Sequence, residues 1–290
     1  MKKRFEREEI LGRLGAHINK GQTILGAGCS AGIIAKCAEL GGADLIICYS
    51  TGISRLRGLQ TETIGHSNPI TLGMFDEIQN VVRDTPIIAG VMANDQTDYD
   101  LDRMIQKFID QRFDGVINFP TQADIEMRLP SVKDQNDARG KAVGISWGFA
   151  REVEMIRKLR DRNVFTMCYV YTPQQAADMV KAGVDVVCAH VGGTSGGLIG
   201  FLADPLGKSL ENAQKIMEGA WAVDSSAICL AHGGPFAEPE DLQALYEQTD
   251  AQGFVGASSI ERIPVEKAVM GTVKAFKNFR FRQREGDEGH

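Results

Sequence analysis

Eight short apolar runs, at 23–27, 44–48, 86–92, 115–119, 164–169, 185–190, 227–231 and 253–256, punctuate the chain. They are rich in Ile, Leu and Val with little polar alternation, the pattern of strands covered on both faces. Between them apolar positions recur at helical spacing, for example over 98–111, 151–162 and 173–181. Pro173 opens the last of these, where its missing N–H costs no helical hydrogen bond. Strands alternating with helices predict a parallel sheet. The segment Gly26-Ala27-Gly28-Cys29-Ser30-Ala31-Gly32 follows the first strand, but it is one residue too long for the G-x-G-x-x-G fingerprint. Cys48-Tyr49 also lacks the ribose-binding acid at the end of the second strand. An open dinucleotide-binding sheet is therefore disfavoured, and the expected fold is a (β/α)8 TIM barrel.

No linker divides the chain, so the expected organisation is a leading helix over 1–22, a barrel over 23–278 and a disordered tail over 279–290. The helix carries Ile10, Leu11 and Leu14 on one face, and the tail is charged and glycine-containing. Strand starts at 23, 44 and 86 recur with the same spacing at 164, 185 and 227. Gly42-Ala43-Asp44-Leu45-Ile46-Ile47-Cys48-Tyr49 also echoes Gly183-Val184-Asp185-Val186-Val187-Cys188-Ala189-His190. Half-barrel duplication and ordinary barrel spacing both account for this echo, and either makes Tyr49 and His190 equivalent strand-end residues.

Composition narrows the function. The net charge is -6, with acids and bases interspersed and no basic stripe, which argues against a nucleic-acid partner. No apolar run is long enough for a membrane span, and the first residues lack the apolar core of a secretory signal. The cysteines (Cys29, Cys37, Cys48, Cys168, Cys188, Cys229) have no C-x-x-C spacing, so reduced, mostly buried thiols and a cytoplasmic location are expected. A homo-oligomer is expected as well.

Barrels of this kind place their chemistry at the C-terminal strand ends, frequently with phosphate held after strands 7 and 8. His232-Gly233-Gly234-Pro235 and Gly256-Ala257-Ser258-Ser259 occupy those two positions. Their glycines would let backbone N–H groups approach an anion, and the serine hydroxyls could donate to it. His190 and His232 end strands 6 and 7 and are candidates for proton transfer. Tyr49 and Asp95 join them as candidate catalytic groups, and Asn118 as a candidate for substrate oxygens. Three long connections, 50–68, 121–144 and 191–208, are candidate binding loops. The first contributes Arg55 and Arg57, either of which could clamp a carboxylate. Glu152 and Glu154 open a helix, where the dipole alone explains at least one of them. No lysine ends a strand, which disfavours Schiff-base chemistry.

Several motifs agree in order with one family. They include Gly26-Ala27-Gly28, Asn118-Phe119-Pro120-Thr121, Glu152-Val153-Glu154-Met155-Ile156 and His190 followed by Gly192-Gly193-Thr194-Ser195-Gly196-Gly197. His232-Gly233-Gly234-Pro235 and Gly256-Ala257-Ser258-Ser259-Ile260-Glu261-Arg262 complete the series. Together they resemble the phosphoenolpyruvate hydrolase-like TIM-barrel family, which is similar to the C-terminal barrel of plant tobamovirus-resistance proteins. The resemblance implies a distant relation to phosphonopyruvate hydrolase and phosphoenolpyruvate mutase, which use Mg²⁺ and small 2-oxo acids. It also implies that Gly28, Gly192 and Gly193 belong to the substrate site. The expected activity is hydrolysis or C–C/C–P cleavage of a small anionic substrate, a phosphorylated or 2-oxo carboxylate, with no cofactor or with Mg²⁺. The acidic metal motif of those enzymes is not evident, so no metal ligand is nominated. The alternative is a metabolite-binding sensor or interaction module that binds the same anion without turnover.

Overall fold

The computed structural model describes residues 4–282. Helix α1 (Arg7–Asn19) precedes the barrel. β1 (Ile24–Gly28) leads to α2 (Gly32–Leu40), and β2 (Leu45–Cys48) to a short α3 (Gly52–Leu56) and to α4 (Ser67–Val81). β3 (Ile87–Gly90) is followed by α5 (Leu101–Asp110), and β4 (Gly115–Ile117) by α6 (Ala123–Arg128), α7 (Pro130–Val143) and α8 (Phe149–Arg160). Next come β5 (Phe165–Val170) with α9 (Pro173–Lys181), and β6 (Val186–His190) with α10 (Leu206–Trp221). β7 (Ile228–His232) with α11 (Asp241–Gln248), then β8 (Gly253–Gly256), a π-helical turn (Ser258–Arg262) and α12 (Ile263–Lys277) complete the order. All neighbouring strands pair in parallel, and β8 closes on β1 in the register Ile24↔Gly253 to Ala27↔Gly256.

The inward-facing side chains Leu45, Ile47, Ile88, Phe165, Val186 and Leu230 form one buried cluster that Phe5, Ile10 and Leu14 cap from the N-terminal end of the barrel. The leading helix is thus a plug. Burying Ile10 and Leu14 stabilises it by about 1.5–3 kcal/mol each. Arg7 adds a bidentate bond to Asp185, and Phe5 N–H donates to Asp114 at 2.8 Å.

The sequence echo has a physical origin at this end. Asp44, at the start of β2, accepts from the N–H of Leu25 in the preceding strand (2.8 Å). Asp114 does the same for Ile87 (2.8 Å), Asp185 for Thr166 (2.9 Å) and Gln252 for Cys229 (2.9 Å). In each pair the capping residue's own N–H returns to the carbonyl of the residue it caps. The residue just before each even-numbered strand therefore satisfies, with its side chain, an amide at the start of the preceding odd-numbered strand, and the unit recurs once per strand pair rather than once per half-barrel.

The second of the long connections, 121–144, is mostly helical. Pro130 at the first position of α7 and left-handed Gly144 (φ 71°) beyond its end are the start and stop signals of a helix. The polar middle of α7 hides the apolar periodicity that would have announced it. The connection over 191–208 stays irregular until α10 begins. Five of the six cysteines are buried and all are free, with only Cys37 exposed. No helix among the described residues is long and apolar enough to cross a membrane. Residues 279–282 have no regular structure, and the rest of the expected tail lies outside the described residues.

Candidate active site

The C-terminal strand ends surround a cavity of about 340 Å³. β5, β6 and β7 place Tyr169, His190 and His232 on its wall, while Tyr49 follows β2. The imidazole centroids are 4.5 Å apart, and the Tyr169 ring lies 5.1 Å from His190 and 4.8 Å from His232. Tyr171 stacks on His190 at 4.4 Å. The connecting segments add Thr51, Arg55, Thr121, Arg128, Thr194 and Ser258. Thr51 is buried, and its hydroxyl has no hydrogen-bond partner among the described residues.

Both histidines are neutral at physiological pH. Burial drives His190 well below the ordinary imidazole value, with His232 and Arg128 adding to the effect. Burial likewise lowers His232 to about 4, against a contribution from the Val255 carbonyl that favours the charged ring. The backbone assigns their tautomers. Gly192 N–H donates to His190 Nδ1 at 3.1 Å, so this nitrogen bears the lone pair and Nε2 carries the proton. His232 Nδ1 lies 2.6 Å from the Val255 carbonyl, which only accepts, so Nδ1 carries the proton and Nε2 the lone pair. One ring offers the cavity a donor and the other an acceptor. Burial also raises Tyr49 to about 12 and Tyr169 well above its usual value, so both phenols keep their protons.

Arg55 does reach the cavity, but it is committed internally. Its Nε donates to Glu261 Oε1 at 2.7 Å, and Nη1 donates to Thr61 at 3.2 Å. Glu261 also accepts from the Ser30 N–H at 2.8 Å. Burial alone would lower Arg55, and the Glu261 charge more than offsets this. Burial pushes the Glu261 carboxyl up while Arg55 and the Ser30 N–H pull it back down, and the pair ties the segments after β1, β2 and β8 together. Arg55 is therefore not a free carboxylate clamp, and Arg57 is exposed and away from the cavity.

The structure gathers Tyr49, His190, His232, Gly193, Ser258 and Arg55 around this one cavity, and leaves the other sequence candidates outside its lining. Asp95 is buried elsewhere, accepting from Thr97 at 2.7 Å and from Asn68 at 3.3 Å. Asn118 is buried beneath the mouth, where its carbonyl accepts from Tyr169 N–H at 2.7 Å. Gly28 lets the barrel close tightly, since a Cβ there would meet the Tyr49 hydroxyl at 2.6 Å. Gly233 adopts φ 81° and sits so close to the Gly192 carbonyl that a Cβ would lie 2.0 Å from it. The Gly234 N–H is consumed by that same carbonyl at 2.8 Å. Only part of the expected phosphate clamp therefore has free donors. Gly256 packs against Ile260, Gly192 faces a neighbouring cavity, and the Ser259 hydroxyl is buried without a partner.

Glu152, which the sequence reads as a helix-opening carboxylate with no site role, stands behind the mouth. It is fully buried on α8 and accepts from Asn118 Nδ2, Thr121 Oγ1 and Gln122 N–H, each at 2.6 Å. Burial raises its carboxyl to about 8, against the lowering effect of those donors. Thr121 lines the cavity, so Glu152 supports the mouth from directly behind it. A larger open trough of about 1180 Å³ lies between α2 and α4, but no catalytic candidate faces it.

The donor set does not suit a resident Mg²⁺, which takes oxygen ligands, chiefly carboxylates and waters. The cavity acids are Glu62 and Asp124, and Asp124 is engaged by Arg128 at 2.6 Å. No group of three potential His, Cys, Asp or Glu ligands converges among the described residues.

Comparison with known proteins agrees with this architecture. The phosphoenolpyruvate hydrolase-like family matches residues 9–279. The chain is 35% identical over 279 residues to the ToMV resistance protein Tm-1(GCR237) of Solanum lycopersicum, covering 94% of this chain and 36% of that protein. It thus spans about a third of that relative's length. Among solved structures, phosphonopyruvate hydrolase in complex with oxalate and Mg²⁺ superposes with a TM-score of 0.56 at 14% identity, covering 97% of this chain and 92% of that one. Phosphoenolpyruvate phosphomutase from Streptomyces platensis subsp. rosaceus gives 0.57 at 13% identity, with 92% and 86% covered. At that identity the likeness is one of fold.

Proposed function

The chain belongs to the phosphoenolpyruvate hydrolase-like family, and on that premise we propose that it is an enzyme acting on a small anionic 2-oxo or phosphorylated carboxylate. The reaction is hydrolysis or C–C/C–P cleavage with proton transfer by His190 and His232. The observation that carries this reading is the pair of neutral imidazoles with opposite tautomers in one cavity. His232 Nε2 accepts a proton from the substrate or an attacking water. His190 Nε2–H donates to the oxygen on which charge develops. An anionic ligand also favours the imidazolium that His232 becomes, offsetting the burial that holds its pKa near 4. Ser258, Thr194 and Thr51 supply hydroxyls to the ligand's oxygens, and Tyr49 and Tyr169 remain neutral donors. Glu152 positions Asn118 and Thr121, and no step is routed through a metal. A homo-oligomer in the cytoplasm remains part of this reading.

The test is turnover of a panel of 2-oxo and phosphorylated acids by the parent, His190→Ala and His232→Ala proteins. Loss of general acid–base catalysis should lower kcat by about 10²–10⁴-fold in each variant. Turnover unchanged in both would remove the histidines from the chemistry. Ligand binding without product from any acid would favour a sensor.

A further inference from the structure

Behind His190 a second cavity, of about 420 Å³, opens between α6, α9 and α10. It shares Arg128, Tyr171 and His190 with the mouth, so one wall of side chains divides the two spaces. Its opposite side is a single face of α10, where Lys208, Asn212 and Lys215 follow at i, i+4 and i+7. Three cations, one acid (Asp204) and an amide therefore line a space that touches one of the proposed proton-transfer groups from outside the barrel.

In the free protein each cation is held by an acid four residues before it. Lys208 pairs with Asp204 at 3.0 Å, Lys215 with Glu211 at 2.5 Å and Arg128 with Asp124 at 2.6 Å. The three cationic side chains are 57–61% exposed. Exposed i,i+4 pairs are weak and easily exchanged, so a compact dianion can recruit these groups at little cost. The mouth offers less of this capacity, because the Gly234 amide in the turn after β7 is bonded to the Gly192 carbonyl and Arg55, after β2, to Glu261.

We propose that this side cavity is a binding site for a phosphate-type dianion, held by Lys208, Lys215, Asn212 and Arg128 against the outer face of His190. The inference rests on the proposed function only where it assigns His190 a part in the reaction; the anion site itself does not need that assignment. A dianion here offsets the charge of Arg128, which opposes protonation of His190, so occupancy shifts the His190 ring toward its charged form. The anion comes either from free phosphate or from the phosphate of a substrate whose acid end lies in the mouth.

Calorimetric titration of the full chain distinguishes these cases, with inorganic phosphate, oxalate as a mouth probe, and phosphoglycolate as an acid carrying both groups. In Lys208→Gln/Lys215→Gln, phosphate should bind at least about tenfold more weakly, while oxalate affinity is unchanged. His232→Ala should show the reverse, keeping phosphate and losing oxalate. Phosphoglycolate that displaces both ligands identifies a substrate phosphate. Phosphate and oxalate bound together, with phosphoglycolate displacing only phosphate, identify a free anion. Phosphate binding that is absent in the parent, or equal in the lysine double variant, overturns the site. Lysine-dependent phosphate binding without any oxalate binding would leave the site standing and count against the proposed function alone. An independent readout is the His190 ring resonance, which should move with phosphate in the parent and stay fixed in the double variant.

Discussion

The two ends of the barrel handle buried polarity in opposite ways. At the N-terminal end, Asp44, Asp114, Asp185 and Gln252 each cap an amide of the neighbouring strand, in four copies of one arrangement. At the C-terminal end, among the described residues, the two histidines are buried without a counter-charge, Glu152 is buried with only neutral donors, and the hydroxyl of Thr51 has no partner. Desolvated groups of this kind cost stability unless something later compensates them. The contrast separates a region built to hold the barrel together from one that keeps unused hydrogen-bonding capacity for a ligand.

The exception at the upper end is the Arg55–Glu261 pair, which is structural, and breaking it should give the largest stability loss. Glu261→Gln leaves the Arg55 charge buried without its partner and should destabilise the fold by about 3–5 kcal/mol. Urea denaturation would measure this. A loss under about 1 kcal/mol, comparable to an exposed ion pair, would mean that water reaches Arg55 and that the arginine is available to substrate after all.

A pH titration sharpens the comparison further. The Glu152 carboxyl lies near 8 in the folded protein against 4.5 when exposed. Below 4.5 both states hold the proton, and between 4.5 and 8 the folded state alone retains it. Its stabilising contribution is thus complete at low pH and is lost as pH rises through 8. Glu152→Gln should erase that slope, so the variant gains on the parent with rising pH. A difference that does not vary with pH would show that folding leaves the Glu152 pKa at its exposed value. His232 works in the opposite sense: between about 4 and 6.5 the unfolded chain binds the extra proton, so stability rises with pH there.

The smallest effect belongs to the lower end. Gln252→Ala removes the cap on Cys229 N–H and should cost about 1 kcal/mol, with catalysis untouched. A change in kcat would contradict the division of labour between the two ends.

Much of this arrangement is readable from the chain because it is local. Short apolar runs betray parallel strands, and a polar or aromatic residue closing such a run, such as Tyr49, His190 or His232, must emerge at the mouth. What escapes is convergence between distant segments. Glu152 reads as an ordinary helix-start carboxylate, since nothing nearby in sequence shows that Asn118 and Thr121 fold against it. Arg55 reads as a free clamp because Glu261 is far along the chain. Asp95 reads as a strand-end acid, yet the Thr97 hydroxyl two residues on turns it back into its own loop. The resemblance motifs contained Glu152 and Glu261 without giving either a role.

The opposed tautomers of His190 and His232 give the cavity a direction. A carbonyl oxygen facing His190 meets a proton, whereas the same oxygen facing His232 meets another lone pair. A ligand entering in reverse is therefore refused by electronic repulsion rather than by shape. Two isomeric acids of the same size, with carbonyl and hydroxyl exchanged end for end, would be told apart by which oxygen falls beside which ring.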